Sequence, residues 1–164
     1  DVFLTWPDTV ASVGETIQDM TERAERHNRE LKYGLRSHVI VRETEAEARS
    51  AADRLISRLD PDTGEAIRQK SLDTASVGVS RQSELRDGAD NDGYVEANLW
   101  TGVGKARSGA GAAIVGDPDQ VAAKLAAYQD VGVEAFILSG YPHIAECDLF
   151  AEHVLPQLNH GKLY

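Results

Sequence analysis

Within the stretch YGLRSHVIV, residues 33–41, an arginine and a histidine stand two places apart in an otherwise uncharged run rich in β-branched residues. Successive side chains of a strand alternate between its faces, so Arg36 and His38 would share one side. A guanidinium there could grip an anionic oxygen through two parallel hydrogen bonds. An imidazole beside it could orient a ligand or move a proton near neutral pH. A plain core strand can carry the same pair, with the arginine on a neighbouring carboxylate and the histidine satisfied inside.

Three further places offer chemistry. Arg107 sits in the small-residue run GKARSGAG, where glycines let backbone approach a ligand and the arginine supplies charge; a solvated loop would read the same way. That run has neither the GxGxxG spacing of a dinucleotide fingerprint nor the GK[ST] of a phosphate loop. Ser139 and Tyr141 belong to SGYPH, directly after the apolar run EAFILS. A phenol at the carboxyl end of a strand can donate a hydrogen bond into a site, or can simply cap a helix. Trp6 closes VFLTW and could wall a flat ring or plug the core. His143, His153 and Cys147 show no metal-ligand spacing, and no metal site is expected.

These residues need elements to place them. Val2 to Trp6 reads as a short strand stopped by Pro7, and Val10 to Leu31 as a helix with Val13, Ile17, Met20 and Ala24 at spacings of three and four. Tyr33 to Val41 is the second strand. Thr44 followed by Glu47 forms a capping box for a helix from about Thr44 to Leu59, with Ala48, Ala52, Leu55 and Ile56 as its apolar stripe. Residues 60–97 are polar, rich in Asp, Ser and Gly, with broken periodicity: a functional insertion, a lid, or disorder. Asp117, Pro118 and Gln120 mark a strong helix start, and that helix ends near Gly132. Glu134 to Ser139 is the third clear strand, and a last helix runs from about Ile144 to Leu155. Strands alternating with helices imply parallel pairing and an α/β class protein. Both outer strands are apolar throughout, as expected of strands covered on both faces. Sites in such folds collect at the carboxyl ends of strands.

The 164 residues fall short of the ~250 of a closed (β/α)8 barrel. The chain begins at Asp1 in what reads as mid-fold, so a piece of something longer is expected. Lysine and arginine number 17 against 27 acidic residues, a net charge of −10. That argues against nucleic acid or an anionic membrane as partner, while leaving a small anionic ligand open. A single cysteine excludes an internal disulfide and points to a reducing compartment, the cytoplasm. No apolar run approaches the ~20 residues of a membrane span.

Four segments in order, DVFLTW, GLRSHVIVRETEAEARSAADRLI, NLWTGVGKARSGAGAAIVGD and AFILSGYPH, carry a family resemblance. Together they resemble the carboxyl-terminal part of the alkanesulfonate monooxygenases, members of the bacterial luciferase-like, flavin-dependent monooxygenases. The resemblance spans essentially the whole chain, weakest from about Pro61 to Ala97. It implies a (β/α)8 TIM-type barrel of which this chain is an incomplete piece, about strands six to eight, with the segment 60–97 as a mobile insertion. It also implies reduced FMN delivered by a separate NAD(P)H-dependent flavin reductase, O2 as co-substrate, and release of an aldehyde and sulfite from an alkanesulfonate. Position by position, the resemblance assigns Arg36, His38, Arg107 and Tyr141 to catalysis, and Trp6, Arg107 and Ser139 to the cofactor. A homo-oligomer is the implied full-length form. Another luciferase-like enzyme, acting on a sulfone, a nitrogen heterocycle or an aldehyde, or a catalytically inert fragment, remains open.

Overall fold

The computed structural model describes residues 1–60, 62–64, 66, 69, 77–106 and 111–162. The elements in chain order are β1 (Val2–Thr5), α1 (Val10–Glu25), β2 (Lys32–Val41), α2 (Glu45–Ile56), α3 (Val77–Asp87), β3 (Tyr94–Glu96), β4 (Leu99–Trp100), α4 (Val103–Ala106), β5 (Ala113–Gly116), α5 (Pro118–Asp130), β6 (Ala135–Ser139) and α6 (His143–His153), followed by a 3-10 turn at Leu155–Gln157.

The helix starts are those the sequence dictates. Thr9 caps α1 through the backbone amide of Ser12, and reciprocal capping boxes open α2 (Thr44 with Glu47) and α5 (Asp117 with Gln120). The helix ends differ from expectation. α1 stops at Glu25, not near Leu31, because Asn28 adopts φ 53°, a left-handed conformation that asparagine tolerates. α6 gives way to the 3-10 turn before Pro156, since the residue preceding a proline is pushed out of helical backbone.

The described residues hold six strands rather than three, and the sheet is mixed rather than wholly parallel. β1, β5 and β6 all run parallel to β2, while β3 and β4 form an antiparallel hairpin on β5. Gly34 and Leu35 pair with both β1 and β6, so those two strands take opposite edges of β2. His38 pairs with both β5 and β6, so β5 continues the edge that β1 leaves. The ten-residue β2 is therefore the strand with which β1, β5 and β6 all pair.

Its two faces live differently. Tyr33, Leu35, Val39 and Val41, with Ile114, point to the face covered by Val13 and Ile17 of α1, Val121, Leu125 and Tyr128 of α5, and Phe150 of α6. On the opposite face, the carboxyl half is covered: Ile40, Ala113 and Val115 pack against Ala48, Ala51 and Ala52 of α2, and against Trp100 and Val103. The amino half is open. Val2 and Leu4 of β1 and Ile137 of β6 lie there 39%, 46% and 51% exposed. The expectation that the outer strands are covered on both faces is thus corrected. Leu55, assigned to the apolar stripe of α2, is likewise exposed.

The polar segment 60–97 holds α3 and β3 in its described part; residues 61, 65, 67, 68 and 70–76 lie outside it. Trp100 is fully buried, with its indole N–H donating to the Asp92 carbonyl at 3.2 Å. The ring lies back over Gly102, where an added Cβ would stand 2.0 Å from it. Tyr94, opposite Trp100 in the hairpin, has the Arg49 guanidinium 4.1 Å above its ring, yet its buried hydroxyl finds no hydrogen-bond partner among the described residues. No helix among the described residues is long and apolar enough to cross a membrane.

Burial pushes the Tyr94 phenol up to about 12. Between the ordinary phenol value near 10 and that raised one, the folded protein holds a proton the unfolded chain releases, so stability falls as pH rises through this window. Tyr94→Phe removes both this loss and the orphan hydroxyl while keeping the ring under Arg49. Chemical denaturation should show the variant about 1 kcal/mol more stable at neutral pH, the difference widening above pH ~10.

Candidate functional site

Register brings the predicted residues together. Arg36 lies beside Ile137 and His38 beside Ser139 in the β2–β6 ladder, so all four side chains leave the sheet on the same face. Tyr141 follows two residues after Ser139, in the turn that joins β6 to α6. Its ring stacks on the His38 imidazole, with centroids 5.2 Å apart and planes 22° from parallel. His143, the first residue of α6, meets that phenol in an edge contact, with centroids 4.8 Å apart. His38 is buried, whereas Arg36 and Tyr141 are half-buried. Arg36 stands at the seam where the open apolar half of the face meets the half covered by α2. The cluster runs from Arg36, midway along β2, to the carboxyl end of β6, the end at which sites in parallel β/α architectures are built.

Trp6 directly follows β1. It lines a cavity of about 200 Å³ with Leu4, Asp8, Val13, Arg81 and Gln82, between the end of β1 and α3. The docking of α3 explains this cavity. Arg81 donates to Asp8 at 2.7 Å and also reaches the Ser12 hydroxyl, while the buried Gln82 amide donates to the Pro7 carbonyl at 2.9 Å. The helix buries polar groups, Gln82 and Ser83, and presents no apolar stripe, so hydrophobic spacing could not reveal it. Arg107 lies outside the described residues. No group of three or more His, Cys, Asp or Glu among the described residues could hold a metal ion.

Sequence reasoning passed over two polar linkages. Lys124, on α5 and mostly buried, donates to Glu96 at 2.6 Å, and the same carboxylate accepts the Val10 amide at 3.0 Å. The start of α1, the β3–β4 hairpin and α5 are thereby joined. Glu146 on α6 is 1% exposed and accepts both terminal nitrogens of Arg42, at 2.7 and 3.2 Å. Glu146 is the one fully buried residue of α6, and a buried glutamate gives no signal in sequence spacing.

Comparison with known proteins follows this geometry. A family model described as luciferase-like monooxygenase matches residues 1–135. A sulfoquinovose monooxygenase of Novosphingobium aromaticivorans is 64% identical over 163 residues, covering 99% of this chain and 45% of that protein. Another of the same name, from Agrobacterium fabrum, is 52% identical over 158 residues, covering 96% of this chain and 41% of that one. The chain thus spans rather less than half the length of these curated relatives. Among solved structures, DmoA from Hyphomicrobium sulfonivorans superposes with a TM-score of 0.71 at 18% identity, over 96% of this chain and 36% of that one. The likeness identifies the fold as an incomplete α/β barrel.

The α3 contacts are open to test. Gln82→Ala leaves the Pro7 carbonyl without its buried donor and should cost about 1–3 kcal/mol. Limited proteolysis should then cut within residues 77–87 faster than in the wild type; an unchanged cleavage rate would mean that Gln82 does not hold the helix down.

Proposed function

The chain belongs to the luciferase-like monooxygenase family, and from that membership we propose that the whole protein uses reduced FMN and O2 to split the carbon–sulfur bond of an organosulfonate. Within that class, the two sulfoquinovose monooxygenases favour a sulfonated sugar over a plain alkanesulfonate as preferred substrate. The chain supplies about strands six to eight of the barrel, with residues 60–97 as its insertion. A separate NAD(P)H-dependent reductase supplies the flavin in reduced form.

The supporting observation is that Arg36, His38, Ser139 and Tyr141 share one face, from the middle of β2 to the carboxyl end of β6. A sulfonate is the anion of a strong acid, with three oxygens that stay charged across physiological pH. A fixed guanidinium suits such a group better than a titratable one. Arg36 is assigned to bind it, with Arg107 as a second cation. Tyr141, its ring held against two histidines, is assigned to present its hydroxyl to the reacting centre. His38 is assigned to steady that ring by stacking on it.

The same face suits a flavin. Leu4 and Ile137, each about half exposed, offer apolar surface that a planar ring can cover, and Arg36 and Ser139 beside them offer groups for its polar rim. Trp6 would border it from the β1 side. When bound, reduced FMN supplies the two electrons that activate O2. In the balanced reaction the carbon–sulfur bond breaks, one oxygen atom becomes the aldehyde oxygen and the other leaves as water. Sulfur departs as bisulfite, and FMN is returned oxidised.

The decisive assay supplies the intact protein with reductase, NADH and FMN, and measures sulfite from sulfoquinovose and from straight-chain alkanesulfonates. Sulfite is expected from the sugar at the higher kcat/KM, and Arg36→Ala should lower that value about 100-fold, roughly 3 kcal/mol of transition-state binding. No sulfite from any sulfonate would overturn the proposal.

A further inference from the structure

We propose that Glu146 is a positioning residue: through Arg42 it locks the first turn of α6 onto the end of β2, and so fixes the stack of Tyr141 on His38. This rests on the reading of that stack as part of the reaction site.

The geometry carries the inference in four contacts. First, the Glu146 carboxylate holds Arg42 through two nitrogens, at 2.7 and 3.2 Å, and accepts the Val41 amide at 3.4 Å. The end of β2, three residues beyond His38, is thereby tied to α6. Second, Gly140 passes directly beneath the glutamate. An added Cβ on Gly140 would stand 2.4 Å from the Glu146 Cβ and 3.0 Å from the Val39 carbonyl oxygen, so the turn is clamped between strand and side chain. Third, Tyr141 follows Gly140 at once, leaving its backbone little room to shift. Fourth, His143 stands one turn before Glu146 on α6 and presses edge-on against the Tyr141 ring. A rotation of α6 would carry His143 with it and release the phenol from His38.

The ion pair need not be there for stability alone. Taking a carboxylate out of water costs much of what its partner returns, and buried pairs can often be replaced by apolar residues of similar volume without loss. What an apolar pair would not supply is the fork, which fixes direction as well as distance. The Glu146 carboxylate is hydrogen-bonded to Arg42 and to the Val41 amide, so its effect on the stack passes through the turn.

The test reads the stack directly. In the intact protein with isotope-labelled histidine, the His38 ring protons carry an upfield ring-current shift from Tyr141, and Tyr141→Leu sets the value expected on its loss. Two variants probe the clamp: Glu146→Gln, which keeps shape and removes charge, and the double variant Arg42→Met with Glu146→Leu, which leaves no lone buried charge. The inference expects both to fold, both to move His38 most of the way toward the Tyr141→Leu value, and kcat to fall about tenfold with little change in KM. Folded variants with wild-type His38 resonances overturn it. Loss of the folded circular-dichroism spectrum in both also overturns it, because the pair would then serve the fold as a whole. If no sulfonate is turned over at all, the functional reading fails while the resonance measurement still decides the role of Glu146.

Discussion

A parallel strand in the middle of a sheet must satisfy two hydrogen-bonding edges and two faces, and β2 does so unevenly. Its edges are taken along most of its length by β1 and then β5 on one side and by β6 on the other. One face is sealed by three helices; the other is sealed only where α2 and Trp100 reach. Polar side chains can stand on such a strand only where apolar burial is not demanded of every position. Arg36 and His38 occupy the boundary between the sealed and open halves, and Gly34, one step earlier on the same face, leaves room for Val2 and Leu4 to lie across it. The site is a consequence of that partial covering.

Not all of the ion pairs contribute alike. Arg23–Asp19 and Arg26–Glu22 are exposed, spaced four residues apart along a helix, and worth a few tenths of a kcal/mol each. Arg42–Glu146 and Lys124–Glu96 are largely withdrawn from water, and breaking either by removing one partner would cost about 3–5 kcal/mol, because a charge would be left stranded. These two pairs connect elements far apart in sequence at the strand ends. The first joins β2 to α6, and the second joins α5 to the β3–β4 hairpin and through it to α1. The elements that flank the site are therefore cross-braced by directional bonds where hydrophobic contact alone would let them slide.

Reading the residues in order reached much of this arrangement. β2, β6 and the starts of α1, α2 and α5 follow from β-branched runs and capping residues, signals carried by a few adjacent positions. The shared face of Arg36 and His38 follows from a period of two. The strands β3, β4 and β5 did not emerge because they are two to four residues long. Ala113–Gly116 is small and apolar without alternation, and the hairpin turns at Asn98, whose φ of 62° is a backbone fact that sequence only permits. The openness of Val2, Leu4 and Ile137 was also hidden: an apolar residue announces a preference for burial, not whether a partner is present to bury it. The Tyr141–His38 stack joins residues 103 positions apart, which no spacing rule could have paired.

Charge poses a last question of consistency, since a chain with a net charge of −10 is assigned an anionic substrate. Distance decides the matter. At physiological ionic strength the field of an exposed charge decays over about 8 Å, so acidic side chains on the outer surfaces of α1 and α2 contribute little at the strand ends. Within contact range the ligand sees Arg36, half-buried and so less screened than a surface arginine, on the same face as the Tyr141–His38 stack. Glu146, the buried carboxylate of α6, is already held by Arg42 and can offer a sulfonate little repulsion. The clamp that aligns the tyrosine thus also offsets the charge of a buried acid, so geometry and electrostatics here draw on the same two side chains.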